Sequence, residues 1–179
     1  MQAAGAHNVR NALAAAAGAT AAGVGLDAVA RGLAGFQPVQ GRLQKRAGRG
    51  GVIVLDDTYN ANPDSVIAAI DVLARAAGAK FLVLGDMGEV GASGAAFHAE
   101  IGRHARARGI ERLFLLGELC AHAAAAFGEG ANRYGDIDAL LAALAPCLGE
   151  GTTVLIKGSR FMRMERVVQA LTGALAGGH

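Results

Sequence analysis

The stretch that decides the fold is Val52-Ile53-Val54-Leu55-Asp56-Asp57-Thr58-Tyr59-Asn60-Ala61-Asn62-Pro63. Four apolar, mostly β-branched residues predict a buried strand over Val52–Leu55. The polar residues after it predict the end of that strand. Asn62-Pro63 predicts a helix start, because asparagine is a favoured N-cap and proline suits the first helical turn. The stretch therefore predicts one strand–loop–helix unit of an α/β domain.

The same alternation continues along the chain. Short apolar runs alternate with segments of helical period, which is typical of βαβ units in a Rossmann-like, largely parallel sheet with flanking helices. The predicted strands are Val52–Leu55, Lys80–Leu84, Arg112–Leu116 and Thr152–Ile156, with a weaker one at Asn132–Tyr134. The predicted helices are Pro63–Ala77, Ala95–Arg108, Glu118–Phe127, Ile137–Leu148 and Met162–Leu175.

The N-terminal portion has a different pattern. Asn8–Ala17 and Leu26–Leu33 predict two helices joined by turns rich in glycine and alanine. We interpret Gly41–Gly51 as a basic, glycine-punctuated connection into the first strand. A boundary is therefore predicted near Phe36–Gly41, with a helical segment over residues 1–40 and an α/β domain over residues 41–179.

Composition narrows the class of protein. The 179 residues are 53% apolar, which is enough for one buried core with a small appendage. The 17 basic and 15 acidic residues are mixed and aromatic residues make up 4%, so we expect no nucleic-acid partner. Cys120 and Cys147 form no CxxC pair, which predicts free thiols. No membrane span or signal peptide is predicted, so we expect a cytoplasmic protein.

Polar clusters follow three of the predicted strands. In open α/β sheets ligands bind beyond the carboxyl ends of the strands, so these clusters predict one crevice. Carboxylates there can accept from ribose hydroxyls, and lysine or arginine can bind phosphate or carboxylate groups. Loop residues and helix caps are the alternative explanation of each polar position. The clusters are Asp56, Asp57, Thr58, Tyr59, Asn60 and Asn62; Gly85, Asp86, Met87, Gly88 and Glu89; and Lys157, Gly158, Ser159 and Arg160.

Other motifs are incomplete. Gly23–Ala28 imitates a dinucleotide fingerprint but follows a predicted helix, and no P-loop is present to hold the β and γ phosphates. His98-Ala99-Glu100 with Pro146-Cys147 lacks the second cysteine of a zinc deaminase, since residue 150 is glutamate. We therefore predict no metal site and interpret the histidines as solvated or core residues.

Five motifs occur in a characteristic order: Gly5-Ala6-His7-Asn8-Val9-Arg10-Asn11, Gly41-Arg42-Leu43-Gln44, Asp56 to Pro63, Leu84-Gly85-Asp86-Met87-Gly88-Glu89-Val90-Gly91, and Lys157-Gly158-Ser159-Arg160. Their order and spacing over nearly the whole chain resemble the Mur ligases. The resemblance is greatest to the C-terminal part of the MurF type, which adds D-alanyl-D-alanine to UDP-N-acetylmuramoyl-tripeptide.

The resemblance implies a role for each motif. It implies that residues 1–40 are the C-terminal helical tail of the central ATP-binding domain and residues 41–179 the C-terminal Rossmann-like domain. It implies adenine contacts by Asn8 and Asn11, phosphate contact by Arg42 and ribose contact by Asp57. Arg42 and Lys157 are the implied catalytic residues. The implied substrate-binding residues are Asn60, Asn62, Asp86, Glu89, Ser159 and Arg160.

The implied activity is that of an ATP-dependent amide ligase in peptidoglycan precursor synthesis. The γ-phosphoryl group of ATP passes to the peptide carboxylate, and the amine of D-alanyl-D-alanine attacks the acyl phosphate. The resemblance also implies that the phosphate and Mg²⁺ sites lie mainly on the missing part of the central domain, so we expect the isolated chain to be inactive.

Two alternatives remain open. Asp56, Asp57, Asp86 and Lys157 also resemble the acids and lysine of a receiver-like phospho-switch, although a receiver places its acceptor after the third strand. A non-catalytic Rossmann-type module that binds a nucleotide or a partner is the second alternative. Such a self-sufficient module should bind ATP tightly.

Overall fold

The computed structural model describes residues 6–36 and 40–173, with side chains from residue 9 onward. Contacts divide the chain into two compact units, Met1–Val39 and Gln40–His179. The first unit holds two helices that pack on each other, α1 (Ala6–Ala21) and α2 (Leu26–Ala34). No residue of α2 is buried. No helix in the described residues is both long and apolar enough to cross a membrane.

The second unit contains, in chain order, β1 (Gln44–Ala47), β2 (Ile53–Asp57), α3 (Pro63–Leu73), β3 (Ala79–Gly85), α4 (Gly94–Ala107), β4 (Arg112–Leu116), α5 (Cys120–Phe127), β5 (Ala131–Tyr134), α6 (Ile137–Leu144), β6 (Thr152–Lys157) and α7 (Glu165–Thr172). In the described residues the strands form one six-stranded sheet with the order β1-β2-β6-β3-β4-β5. All neighbouring strands are parallel except β1, which runs antiparallel to β2.

The sheet separates two layers of helices. Helices α3, α4 and α5 pack on one face through side chains that include Ile70, Ile101 and Ala123. Helices α6 and α7 pack on the other face through side chains such as Leu140 and Val167. Because both faces are covered, the central strands are nearly continuous apolar runs, and every residue of β6 is buried.

The mixed α/β class that the alternation predicts is confirmed, and the predicted strands occur within a residue or two of their expected bounds. The interpretation of Gly41–Gly51 as a connection is wrong, because Gln44–Ala47 forms the edge strand β1. This strand is polar and has no apolar face, so neither periodicity nor composition indicates it. Its ladder with β2 provides the hydrogen bonds.

Three helices are shorter than predicted by at least three residues, and α5 begins at Cys120 rather than Glu118. Helix α3 ends at Leu73 rather than Ala77. Helix α6 ends at Leu144 rather than Leu148, because Pro146 cannot continue an α-helix and the chain tightens into a 3₁₀ turn. Helix α7 begins at Glu165 rather than Met162, since Arg163 adopts a left-handed conformation (φ 52°).

Helices α4 and α5 approach so closely at Gly102 that a Cβ atom there would lie 2.3 Å from the Ala123 carbonyl oxygen. We expect Gly102→Ala to force the helices apart and lower the free energy of unfolding by about 1–3 kcal/mol, as overpacking does. Chemical denaturation measures the change. Gly135→Ala is the control, because a Cβ atom at Gly135 meets nothing within 4 Å. Equal losses in both variants would contradict the close approach.

Asp71 of α3 joins α3 to the end of α4. Its Oδ1 lies 2.8 Å from His104 Nε2 and 2.7 Å from Arg108 Nε. Partial burial raises the pKa of Asp71, but the hydrogen bonds and charges of His104 and Arg108 outweigh it, so the pKa lies below its ordinary value. A carboxyl whose pKa is depressed on folding stabilises the fold above its unfolded pKa, and this stabilisation is lost as the pH falls through the folded pKa.

Asp71→Asn should therefore destabilise the domain at pH 7 by up to about 1 kcal/mol, the range for solvent-accessible ion pairs. The difference from the unmodified chain should shrink as the pH falls below about 4, where the unfolded carboxyl becomes protonated. Urea titrations at several pH values measure it. Asp64→Asn is the control, because Asp64 is an exposed acid of the same helix. A pH-independent effect of Asp71→Asn would contradict the ion-pair explanation.

Candidate functional site

The topology opens crevices on both sides of β6. The helix after β6 lies on one face of the sheet, whereas α3 and α4, which follow the neighbouring strands β2 and β3, lie on the other. Ligand crevices of parallel sheets form where the connections of adjacent strands leave in opposite directions. The carboxyl ends of β2, β6 and β3 are therefore the candidate site, and the three polar clusters follow these strands.

A buried ion pair joins the ends of β2 and β6. Asp57 and Lys157 are register partners, and Lys157 Nζ lies 2.6 Å from Asp57 Oδ2. The two residues are 7% and 2% exposed. At this burial each charge depends on the other, because an unpaired charge would lose its hydration without compensation.

Lys157 also holds the loop after β2. Its ammonium group donates a hydrogen bond of 2.8 Å to the carbonyl oxygen of Asn60. Burial lowers the pKa of Lys157 below its ordinary value; the neighbouring Asp57 acts in the opposite direction, and Arg42 lowers the pKa further. The lysine thus fixes the position of the carboxylate and of the loop backbone.

The Gly41–Leu43 turn is attached to the same strand end. The Leu43 amide donates to Asp57 Oδ1 at 3.0 Å, and the Tyr59 amide donates to the Gly41 carbonyl at 3.1 Å. These bonds bring Arg42 over the ring of Tyr59, with its guanidinium carbon 4.2 Å from the ring centroid. Arg42 and Tyr59 are both exposed, so a cation–π pair lies at the surface of the site.

The adjacent Asp56 is a structural residue. Its Oδ1 accepts from the Thr58 hydroxyl at 2.7 Å, and its Oδ2 lies 3.3 Å from Arg46 Nε of the edge strand. Only 1% of Asp56 is exposed. Of the two adjacent acids, Asp57 therefore faces the candidate site, and Asp56 braces the loop.

Ser159 connects this strand end to the Gly85–Glu89 cluster. Its hydroxyl donates to the Ala61 carbonyl at 3.2 Å and accepts from the Gly88 amide at 2.7 Å. Its own amide donates to the Asp86 carbonyl at 3.1 Å. One buried serine therefore ties together the loops after β2, β3 and β6.

Asp86 closes the other end of the site. Its carboxylate accepts from the Leu119 and Cys120 amides at 3.1 and 2.8 Å, which satisfies the N-terminus of α5. Gly117 makes this approach possible, because a Cβ atom there would lie 2.3–2.5 Å from the Asp86 carboxylate atoms. The Asp86 carboxylate is thus engaged in the fold, and its backbone contributes to the loop.

The structure brings most of the sequence-predicted site residues together. Asp57, Asn60, Lys157, Ser159 and Asp86 are joined by the bonds given above, and Arg42 is joined to them through its own loop. Three others are near in sequence but make different contacts or none. Asn62 caps α3, accepting from the Ser65 amide at 2.8 Å, while Glu89 and Arg160 are the exposed last members of the second and third clusters.

Asn8 and Asn11 belong to α1 of the first unit. The Asn11 side chain is exposed, whereas the side chain of Asn8 and the whole of Gly5 lie outside the described residues. The adenine contacts implied for the two asparagines therefore stay predictions.

Sequence reasoning did not give a role in the site to three residues that contribute to it. Leu43 donates to Asp57 from a left-handed conformation (φ 52°), and Tyr59 supports Arg42. His98 of α4 accepts a hydrogen bond from the Met87 amide. The sequence pattern around each shows no sign of this, since each contact joins segments that are separate in the chain.

Comparisons with known proteins give consistent findings. Residues 41–160 match the family model described as Mur ligase, glutamate ligase domain. The chain is 43% identical over 169 residues to the UDP-N-acetylmuramoyl-tripeptide–D-alanyl-D-alanine ligase of Escherichia coli K12, covering 93% of this chain and 37% of the relative. The chain thus spans less than two fifths of the length of that relative.

Solved structures agree in fold. MurF from Acinetobacter baumannii has a TM-score of 0.84 and 33% identity, with coverage of 96% of this chain and 38% of that chain. MurF from Thermotoga maritima, solved in complex with ADP, has a TM-score of 0.69 and 31% identity over 76% of this chain and 31% of its own.

The Asp57–Lys157 pair can be tested by a double-mutant cycle. We expect Lys157→Met to lower the free energy of unfolding by about 3–5 kcal/mol, because it leaves the Asp57 carboxylate buried without a counter-charge. Adding Asp57→Asn removes that charge and should recover part of the loss. Denaturant unfolding of the single and double variants gives the coupling. Strictly additive losses would show that the two groups do not interact.

Proposed function

Because the chain belongs to the Mur ligase family, we propose that it is the C-terminal part of an ATP-dependent ligase that adds D-alanyl-D-alanine to UDP-N-acetylmuramoyl-tripeptide. The similarity to the E. coli ligase over nearly the whole chain is the observation that carries this proposal. The proposed reaction belongs to peptidoglycan precursor synthesis, and a cytoplasmic location is part of the proposal.

We assign the nucleotide phosphates to Arg42. The guanidinium is exposed, lies over Tyr59 and has no carboxylate partner among the described residues. A planar guanidinium suits bidentate contact with phosphate oxygens, and stacking on an aromatic ring orients it at little cost in side-chain freedom. The MurF of T. maritima was solved in complex with ADP, which supports the use of a nucleotide by the full ligase.

We assign the ribose to Asp57. Each carboxylate oxygen accepts one hydrogen bond, from Leu43 or from Lys157, and a carboxylate has about four acceptor positions. Acceptor positions thus remain for a ribose hydroxyl. Lys157, implied as catalytic by the resemblance, is proposed to act by holding Asp57 and the Asn60 carbonyl in position.

We assign the dipeptide to the same edge of the sheet, at the loops that follow β3 and β6. Glu89 and Arg160 are exposed and oppositely charged, as the amine and carboxylate ends of a zwitterionic dipeptide require. Ser159 and Asp86 connect the loops that carry them. Asn60 and Asn62 support this surface, Asn60 through its carbonyl bond to Lys157 and Asn62 through the cap of α3.

The three aspartates at the strand ends are already engaged by other groups. The carboxylates of Asp56, Asp57 and Asp86 are engaged by Arg46, Lys157 and the amides of α5, respectively. We therefore assign Mg²⁺ and most phosphate contacts to the part of the ligase that precedes this chain. Asn8 and Asn11 are assigned to adenine, on a helical tail that belongs to that preceding part.

The proposed reaction suits a site whose residues are divided between this domain and the preceding part of the ligase. Phosphoryl transfer to a carboxylate depends on positioning and on stabilising charge, so a domain that carries Arg42 and Asp57 can complete the site by closing over the nucleotide. Closure also excludes water from the acyl phosphate until the dipeptide amine attacks.

The alternatives have less support. In the observed sheet the last strand lies between the first two parallel strands, whereas a receiver has the order 2-1-3-4-5. Asp86 caps a helix and so does not serve as a receiver acid. A non-catalytic binding module should bind ATP tightly by itself, and calorimetry with this chain separates it from the ligase proposal, which expects weak binding or none.

Fusion to the preceding part of a full-length ligase tests the proposal. The fusion should form ADP in the presence of D-alanyl-D-alanine and the UDP-linked tripeptide, whereas the chain alone should release no phosphate. Arg42→Ala should lower the rate about 100-fold, the usual effect of removing a charge-stabilising donor. Asp57→Ala should lower it at least about tenfold, because one good hydrogen bond is worth about that factor.

The matched control is Arg103→Ala, since Arg103 is an exposed arginine on α4 away from the strand ends. It should keep a rate within about twofold of the unmodified fusion. Rates that stay within a few-fold for both site variants would overturn the nucleotide assignments. Substrate-dependent phosphate release by the isolated chain would overturn the division of the site.

A further inference from the structure

A fully buried histidine lies directly beneath the loop that follows β3. His98 is on α4 with none of its surface exposed. Its Nε2 accepts a hydrogen bond of 3.0 Å from the Met87 amide, and its Nδ1 lies 2.7 Å from the Gly94 carbonyl oxygen, one turn earlier in the same helix. Both ring nitrogens are therefore occupied.

These two bonds define the protonation of the ring. An amide can donate only to a nitrogen with a free lone pair, so Nε2 carries no proton. The carbonyl of Gly94 can only accept, so Nδ1 carries the proton and donates it. His98 is thus a neutral imidazole that connects the loop to the helix.

The loop held in this way has little freedom. The Asp86 amide donates to the Leu116 carbonyl at 3.1 Å, the Met87 amide to His98, and the Gly88 amide to the Ser159 hydroxyl. The next residue, Glu89, has a left-handed backbone (φ 58°) that costs a residue with a side chain about 1–2 kcal/mol. Such a conformation persists only where the surrounding bonds impose it.

The same histidine belongs to a group that resembles a metal site. Asp86, His98 and Cys120 offer ligand atoms that all lie within 4.8 Å of one another. The amides of α5 occupy the Asp86 oxygens, and the Met87 amide occupies the His98 lone pair. Burial and the neighbouring Asp86 raise the pKa of the Cys120 thiol well above its ordinary range, so the thiolate that a metal needs is disfavoured. The group is therefore a hydrogen-bonded support for the loop.

We propose that His98 is a positioning residue that fixes the Asp86–Glu89 loop, and with it the Glu89 side chain that receives the dipeptide amine, through the Met87 amide. The dipeptide part of this inference rests on the proposed function, whereas the fixing of the loop does not. The ring acts through the backbone and touches no substrate.

A pair of substitutions separates the two bonds of the ring. In His98→Gln the amide oxygen can take the position of Nε2 and accept from Met87. In His98→Asn the shorter amide can replace the Nδ1 donor to Gly94 but cannot reach Met87. Both substitutions place an uncharged amide in the same cavity, but asparagine is one methylene smaller than glutamine. A purely space-filling role therefore predicts a general loss of stability in His98→Asn, which chemical denaturation measures, rather than faster exchange confined to the Met87 amide.

Hydrogen exchange of the isolated chain, followed by NMR, reads out the loop directly. We expect the Met87 amide to exchange roughly tenfold faster in His98→Asn, the equivalent of one hydrogen bond, and within about twofold of the unmodified chain in His98→Gln. ¹⁵N shifts of the unmodified chain should show the proton on Nδ1, which keeps a test available if the Asn variant does not fold. A proton on Nε2, or equal exchange in both variants, would overturn the proposal.

The ligase fusion tests whether fixing the loop affects binding of the dipeptide. His98→Asn should raise the KM for D-alanyl-D-alanine about tenfold with little change in the KM for ATP, and His98→Gln should restore it. An unchanged dipeptide KM in His98→Asn, despite a loosened loop, would overturn the positioning role while leaving the ligase proposal intact. An unmodified fusion without activity would instead overturn the proposed function, and the exchange data would still decide whether His98 fixes the loop.

Discussion

The ion pair between Asp57 and Lys157 is the interaction on which the site depends. Its two members lie on adjacent parallel strands, 2.6 Å apart and almost completely buried. Burying two charges is costly unless geometry and further hydrogen bonds compensate. Here the compensation comes from the Leu43 amide and the Asn60 carbonyl, which are the backbone groups of the two flanking loops. The hydrogen bonds that compensate for burying the ion pair therefore also hold the strand-end loops in place.

From this ion pair, a series of hydrogen bonds to backbone groups continues across the carboxyl edge of the sheet. Ser159 follows Lys157 by two residues and connects the loops after β2 and β3. Asp86 then connects the loop after β3 to the start of α5. Most buried polar side chains of the candidate site are thus occupied in holding loops. The exposed residues Arg42, Glu89 and Arg160 remain available to ligands.

This distribution suits a domain that supplies part of a larger site. The family match covers most of the chain, yet the chain spans only 37% of the E. coli relative. A rigid edge with a few exposed charged side chains can add a phosphate contact and a substrate contact to a nucleotide held elsewhere. Preorganisation of this kind lowers the cost of completing a site on closure.

Much of the fold could be predicted from the sequence alone. Hydrophobic period and turn residues are local properties, so they determined the α/β class, the five parallel strands and the helix start at Asn62-Pro63. The order of motifs also determined the family. The polar edge strand β1 could not be predicted, because its stability comes from pairing with β2 rather than from its own residues.

The tertiary structure alone decided what each polar residue does. Asp56 and Asp57 are adjacent and chemically equal in sequence, but strand pairing sends one to Arg46 and the other to Lys157, which is 100 positions away. His98 is an ordinary helical histidine in sequence, and only packing of α4 beneath the β3 loop gives its ring the Met87 amide as a partner. The sequence pattern indicates which residues are buried and where the chain turns. Hydrogen-bond partners depend on which segments the sheet order brings together.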